Sequence, residues 1–428
     1  MKYHHILYCF LIILLTQVSV HAQSQLTLSK AIEVALKNNY NIAIARNETE
    51  IVSVQNNWQN TGAQPTVQAV VGNTLNSTFA ESADATNENA LNTTNNFNAG
   101  LEFSLTLFDG GRMFVRKDIL EHNQALSELE LQQKALSLTF SIVAAYFDII
   151  RQKQQLQSIN EVMDYNAERV AILSTSFNAG MSAKNDYLQA KIDYNKSLEN
   201  AHSQKVAIIA TKRQLQNLMG ASMTSDFDVA DSLDFDNSLT IDDLREKIVN
   251  VNMDIRARQK QLEITQLAFK EARRQYFPTL SVTGGYYFTN IATSMSNNAS
   301  SHGPQIGGRL IIPIYQAGQN RQVAKIAKIQ ALSAEQQLAQ TRLETLEELE
   351  QTFLEYETNK NLYEIERESY KCALENLEIN QARFRLGHST SLDVHIAQEV
   401  FMQSATRMVD FAYALKMSET KLKQLVAQ

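Results

Sequence analysis

Proline is scarce. The 428 residues hold four, Pro65, Pro278, Pro304 and Pro313, with only 14 glycines. Neither residue occurs from Arg112 to Ala179 or from Gln319 to Leu386. An interior proline costs a helix about 3 kcal/mol and an interior glycine about 1, so nothing breaks a helix over either stretch. Cysteine is scarcer still: Cys9 and Cys372. Cys9 lies inside an apolar N-terminal stretch, which gives no support to a lipid-carrying cysteine, and a single remaining thiol excludes an internal disulfide. Basic charge is not in excess. The formal net charge is −7, and no basic stripe is visible, which excludes a nucleic-acid partner. Catalytic signatures are missing too: there is no Walker loop, no H-E-x-x-H and no G-x-S-x-G. No enzyme activity, resident metal or cofactor is expected. Beyond the N-terminus, no apolar run reads as a transmembrane helix.

What is present begins with a signal peptide. "MKYHHILYCFLIILLTQVSVHA" carries one Lys, an apolar core and a small-residue end, so residues 1–22 are expected to be removed. Loss of Lys2 takes the formal charge of the mature chain from −7 to −8.

The remainder reads as one unit written twice. Gly111 and Gly318 lie 207 positions apart, and "FNAGMSAKND" (Phe177–Asp186) matches "FRLGHSTSLD" (Phe384–Asp393) at the same offset. "LTLSKA" at Leu26 parallels "LTIDDL" at Leu239, and Pro65 parallels Pro278, both 213 apart. The six-residue difference falls within each presumed hairpin, where a surface loop varies at little cost. The first repeat is expected over 23–220: a helix at about Ser29–Gly62, a β-hairpin at about 66–108, a long helix at about 111–179 and a return helix at about 183–219. An acidic connector, 221–240, follows, its Asp residues read as solvated loop charges. The second repeat, 241–428, has a helix at about Ile241–Tyr276, a hairpin at about 279–315, a long helix at about 318–386 and a return helix at about 390–427.

The long stretches carry a heptad pattern. Ile142, Ile149, Leu156, Met163, Val170 and Phe177 recur every seven residues, and Leu349, Tyr356, Tyr363, Tyr370, Leu377 and Phe384 do so in the second. This is coiled-coil spacing, and each interval from glycine to glycine spans roughly 100 Å as helix. The tyrosines are read as seam packing. Gly180 and Gly387 end the long helices as left-handed caps. Ser182 and Ser389 are then candidates to cap the returning helices, and Asp186 and Asp393 suit their first turns. His388 and His395 lie near the second tip, and isolated histidines are not read as metal ligands.

The hairpins alternate instead. Phe97, Ala99, Leu101, Phe103, Leu105 and Leu107 share one face, opposite Asn98, Glu102, Ser104 and Thr106. A soluble sheet buries such an apolar face under a helix, whereas a barrel turns it to lipid. Four strands cannot close a barrel, and open edges are excluded from lipid. A membrane-spanning chain must therefore associate, with eight strands from two copies or twelve from three. The pairs Gly110-Gly111 and Ala317-Gly318 would let a strand turn into a helix where a Cβ crowds the junction.

"LTLSKAIEVALKNN", the residues before Pro65 and Pro278, "LTLFDGG" with "IPIYQAG", and the two tip segments together resemble the TolC-like outer-membrane efflux proteins over essentially the whole mature chain. Tyr40 stands where that family often has Pro. The resemblance implies a mixed α and β fold, four strands per chain, in which a homotrimer closes an outer-membrane β-barrel of twelve strands. The barrel would continue into a coiled-coil tube crossing the periplasm. It also implies a passive exit duct for efflux or type I secretion in a Gram-negative cell, set in outer-membrane lipid. Its partners would be a periplasmic adaptor protein and an inner-membrane transporter. Docking would fall on the tips, at Phe177, Gly180, Ser182, Phe384, Gly387 and Ser389. Some relatives narrow the entrance with acidic rings; Asp393 matches one such position and Ile396 occupies another, and Asp186 is the equivalent in the first tip. A structural or adhesive coiled-coil protein of the envelope is the competing reading.

Overall fold

The structure is a computed structural model and describes residues 25–80, 90–220, 227–230, 234–236, 238–294 and 298–427. The expected signal peptide, the ends of both hairpins and parts of the connector lie outside them. The chain divides into two compact units, one built from residues up to Ile44 with Gln133–Asn252 and Thr345–Gln428, the other from Ala45–Gln132 and Met253–Glu344.

In chain order the first half holds β1 (Gln25–Leu26), α1 (Leu28–Asn38), α2 (Tyr40–Gln55), a 3-10 turn (Trp58–Thr61), β2 (Thr66–Ala80), β3 (Ala90–Asp109), α3 (Arg112–Asn178) and α4 (Lys184–Met219). After β4 (Asp228–Val229) come α5 (Ile241–Val251), α6 (Met253–Arg274), β5 (Thr279–Thr293), β6 (Ala299–Ile311), α7 (Gln319–Arg385) and α8 (Ser391–Leu425). The two long helices form as their composition requires, each of 67 residues. The second hairpin ends at Ile311 rather than near 315, because Pro313 lacks the N–H a strand would need.

Each leading helix is broken in two where one was expected. Asn39 leaves the helical region (φ −65°, ψ 128°) and its Oδ1 accepts from the Asn41 N–H at 2.8 Å, while its Nδ2 donates to the Leu218 carbonyl at 2.8 Å. Asn252 takes the same backbone shape (φ −60°, ψ 128°) and donates to the Leu425 carbonyl at 3.0 Å. Each asparagine thus satisfies an orphan carbonyl at the end of a return helix. A local competition between side chain and ladder, invisible to periodicity, ends α1 and α5.

The unit containing β1 and β4 has its core where α3 is most apolar. Ile142, Tyr146, Phe147, Ile149 and Ile150 pack with Leu26, Ala31, Leu215 and Phe227. By length and composition α3 does contain a stretch long and apolar enough to cross a membrane, against the expectation from sequence. Its apolarity serves this core. The connector is no loose link either. Phe227 and Val229 are buried, β4 pairs in parallel with β1, and Tyr146 Oη donates to the Leu26 carbonyl at 2.9 Å. Two of its acids are paired rather than free charges: Asp228 meets Lys153 Nζ at 3.0 Å, and Asp236 meets Lys423 Nζ at 3.1 Å. Hydrogen bonds from Ser238, joined by the Lys423 ammonium, hold the Asp236 carboxyl below the usual carboxylate range. Tyr356 is buried and donates to the Asp236 carbonyl at 2.8 Å, so this seam tyrosine packs as its heptad position requires.

The second unit holds an antiparallel sheet in the order β2-β3-β5-β6. Val67 faces Phe103, Leu101 faces Tyr286, and Gly284 faces Ile306, which places the expected apolar residues on one face across all four strands. A register shift between Thr106 and Phe108 ends that alternation at the foot of β3. The apolar face is bare: Val71 is 71% exposed, Leu101 60% and Ile306 82%. Among the described residues, β2 and β6 each pair on one side only, leaving two open edges. Pro304 sits in the edge strand β6, where a missing N–H is tolerated.

Candidate functional site

The tips lie where each long helix stops. At the first, the Gly180 N–H donates to the Phe177 carbonyl at 2.9 Å and the Met181 N–H to the Ser176 carbonyl at 2.8 Å, with Gly180 at φ 75°. At the second, the Gly387 N–H donates to Phe384 at 3.0 Å and the His388 N–H to Arg383 at 2.8 Å, with Gly387 at φ 74°. Both are complete Schellman motifs, in which positive φ favours glycine. A Cβ at either glycine would meet nothing within 4 Å, so the chain itself does not require the space they leave. Beside them Met181 is 77% exposed and Leu386 72%.

The expected serine caps are absent. Helix α4 starts at an N-cap, Ala183, with no side-chain bond, and Ser182 Oγ reaches only the Leu173 carbonyl at 3.5 Å. Helix α8 is capped by Thr390 and not by Ser389: Thr390 Oγ1 accepts from the Asp393 N–H at 3.2 Å, and Asp393 Oδ2 accepts from the Thr390 N–H at 2.9 Å. This capping box accounts for Asp393, and Ser389 Oγ joins it by donating to Asp393 Oδ2 at 3.2 Å. These bonds, from the Thr390 backbone first, hold the Asp393 carboxyl below its ordinary range. Asp186 lies in the first turn of α4, where negative charge suits the helix dipole.

Behind the tips, Arg169 is buried completely and its guanidinium pairs with Asp193. Its Nη1 reaches the Ser391 carbonyl at 3.5 Å and Gln398 Oε1 at 3.4 Å, linking α3 to α4 and α8. Burial pulls the guanidinium below its ordinary range, opposed by Asp193. At the surface, Arg385 grips Glu168 through two bonds, at 2.5 and 2.6 Å, and holds that carboxyl low. The ring nitrogens of His395 face Asp193 Oδ2 at 3.3 Å and Glu399 Oε1 at 3.6 Å. Among the described residues no group of three or more His, Cys, Asp or Glu is arranged to hold a metal ion.

The strand–helix junctions differ from one another. Gly110 and Gly111 both have φ 76°, and a Cβ on Gly110 would lie 2.7 Å from the Arg274 carbonyl oxygen. Here the expected crowding is real. Ala317 (φ 48°) and Gly318 (φ 78°) share the backbone shape, but a Cβ on Gly318 would meet nothing within 4 Å. Crowding therefore does not explain the second junction. Beside the first, Asp109 is buried; its Oδ1 accepts from the Met113 N–H at 3.1 Å, and Arg112 and Arg116 each approach its Oδ2 to 3.7 Å. Arg116 also donates to Glu271 at 2.7 Å and to the Thr61 carbonyl at 3.1 Å. Sequence reasoning passed over Asp109, although it stands inside "LFDGG". It also passed over Thr390, although "TSLD" is a readable capping box. Arg169 gave no signal, since a lone charge beside a seam reads as solvated.

The family described as "Outer membrane efflux protein" matches residues 31–221 and 244–428. The chain is 21% identical over 338 residues to the outer membrane protein TolC of Vibrio cholerae, covering 77% of this chain and 76% of that one. Among solved structures it resembles the Campylobacter jejuni CmeC outer membrane channel (TM-score 0.77, 19% identity, 93% and 85% of the two chains). A membrane protein from Pseudomonas aeruginosa is similar in fold (TM-score 0.77, 18% identity, 93% and 90%).

Proposed function

The chain belongs to the outer membrane efflux protein family, and from that premise we propose that it is the passive exit duct of a tripartite efflux or type I secretion system. It is an outer-membrane protein of efflux and transport, and its relatives are channels rather than enzymes. In the proposed assembly three copies each contribute β2, β3, β5 and β6 to one barrel. The single observation that carries this is the sheet, with its bare apolar face and two open edges. Unpaired backbone costs several kcal/mol per group in hydrocarbon, and pairing β2 of one copy with β6 of the next removes both edges. Energy for export would come from an inner-membrane transporter, joined through a periplasmic adaptor at the tips. Glycine there leaves room that the chain itself does not use, flanked by exposed Met181 and Leu386, which suits close approach by a partner.

Mass measurement of the detergent-solubilised protein, corrected for bound detergent, should give a trimer, and the trimer should conduct ions across a planar bilayer. A stable monomer that inserts and conducts would overturn the shared barrel. For docking, lysine at both Gly180 and Gly387 should abolish export while trimers still reach the outer membrane. Cross-linking from cysteines placed at Ala179 and Leu386 to the adaptor should fall in parallel, with Cys372 replaced. Export that persists in assembled double mutants would make the tips mere turns.

A further inference from the structure

The polar face of the sheet carries one feature that closing a barrel does not need. Tyr287 lies opposite Gly100 on β3 and Gly303 on β6, so neither cross-strand neighbour has a side chain. Its ring leans along the strand over a second glycine. A Cβ on Gly100 would lie 2.8 Å from Tyr287 Cδ1, and one on Gly285 would lie 2.9 Å from Tyr287 Cζ. The phenol therefore lies over a floor of glycine. Its tip reaches the row of Gly285, whose partner on β3 is Glu102. Glu102 is only half-buried, and one of its oxygens accepts from Gln68 Nε2 at 3.2 Å. The basic residue sharing this face, Arg309, stands opposite Ser281. That is two rows away, roughly 13 Å along a strand.

An aromatic face beside a carboxylate is the chemistry that recognises an organic cation, through the ring quadrupole and opposite charge together. We propose that Tyr287 and Glu102 form a transit site for organic cations on the polar face of the sheet. The proposal rests on the duct reading, in which that face lines the water-filled lumen and threefold association would supply three copies of the pair. Covering glycine explains an aromatic residue at 287. It does not explain an acid in the adjoining row, where the other side chains are the neutral amides of Gln68 and Gln305.

The test uses the full assembled protein with benzyltrimethylammonium as probe and benzenesulfonate as the anion of similar size. Two readouts serve: interruption of single-channel current, and saturation transfer from detergent-solubilised protein to the probe's aromatic protons, which needs no open channel. Glu102→Gln and Tyr287→Ser should each weaken both signals by about three-fold or more, whereas Tyr287→Phe should stay within about two-fold. Benzenesulfonate should give little of either. If Tyr287→Ser fails to assemble, Glu102→Gln still decides, since it leaves the ring and its glycine floor untouched. Equal signals from wild type and Glu102→Gln, or from cation and anion, would overturn the site while leaving the duct intact. A trimer that conducts nothing would remove the duct reading and the site with it.

Discussion

The two tips turn through the same backbone and are secured by different chemistry. Both close with a pair of Schellman bonds around a glycine near φ 75°. Yet the second return helix begins at a full capping box, and the first begins at an alanine with no side-chain bond. At the junctions the imbalance is reversed: the first is packed around Asp109, Arg116 and Arg274, the second is open. The turn is what both copies keep, and the fastening has drifted. A feature kept in both copies is thus a better pointer to function than one that only steadies a helix end.

This contrast can be broken at several points. The largest effect should come from Gly110→Val, which adds a side chain at positive φ where a Cβ would already lie 2.7 Å from the Arg274 carbonyl oxygen and from Phe277 Cβ. Trimer yield should collapse, whereas Gly318→Val should lose only the cost of its backbone shape, about 1–2 kcal/mol. Gly72→Val, with nothing within 4 Å, should assemble like wild type. Equal yields at positions 110 and 318 would remove the distinction between the junctions.

Next in size is Arg169→Met. It leaves Asp193 buried without its guanidinium, and breaking a buried pair typically costs 3–5 kcal/mol, or about that here. Denaturant unfolding should show the loss, and Arg385→Met, at an exposed pair, should cost under about 1 kcal/mol.

A smaller effect separates the tips directly. Thr390→Ala should cost about 1 kcal/mol through the lost cap, and Ser182→Ala nothing measurable. The second tip should also be sensitive to acid. Asp393 has a folded-state pKa below its unfolded value, so its contribution is present above the ordinary carboxylate range and lost as pH falls through the folded value. The stability gap between wild type and Asp393→Asn should therefore be open near neutrality and close in strong acid. A gap that widens on acidification would show that the capping box is not the source.

Much of this was legible because it rests on period and on punctuation. Heptads from Ile142 to Phe177 and the absence of proline define α3, and alternation from Phe97 to Leu105 defines the apolar face of β3, with Leu107 displaced by the register shift. Gly180 and Gly387 mark the stops. What was not legible rests on partners distant in the chain. Asn39 ends α1 by bonding to Leu218, and Asp236 is held by Lys423, 179 and 187 positions away. The serines misled for a related reason: Ser and Thr stand side by side before α8, and only the backbone shows that Thr390 is the half-turned residue.

The unit that holds β1 and β4 is drawn from three separate stretches of chain, ending with Thr345–Gln428. Strand β1, near the beginning, finds its partner at Asp228–Val229, and the connector is fastened by Lys423 close to the end. Such non-local closure makes folding slow, because long loops must be ordered before their contacts reward it. A ribosome or a secretion pore delivering the chain from its N-terminus therefore cannot finish this unit early. The polypeptide must remain unfinished until its last helix arrives, and loss of even the final turns of α8 would strip Leu422 and Leu425 from the core they share with α5 and α7 and free the connector from Lys423.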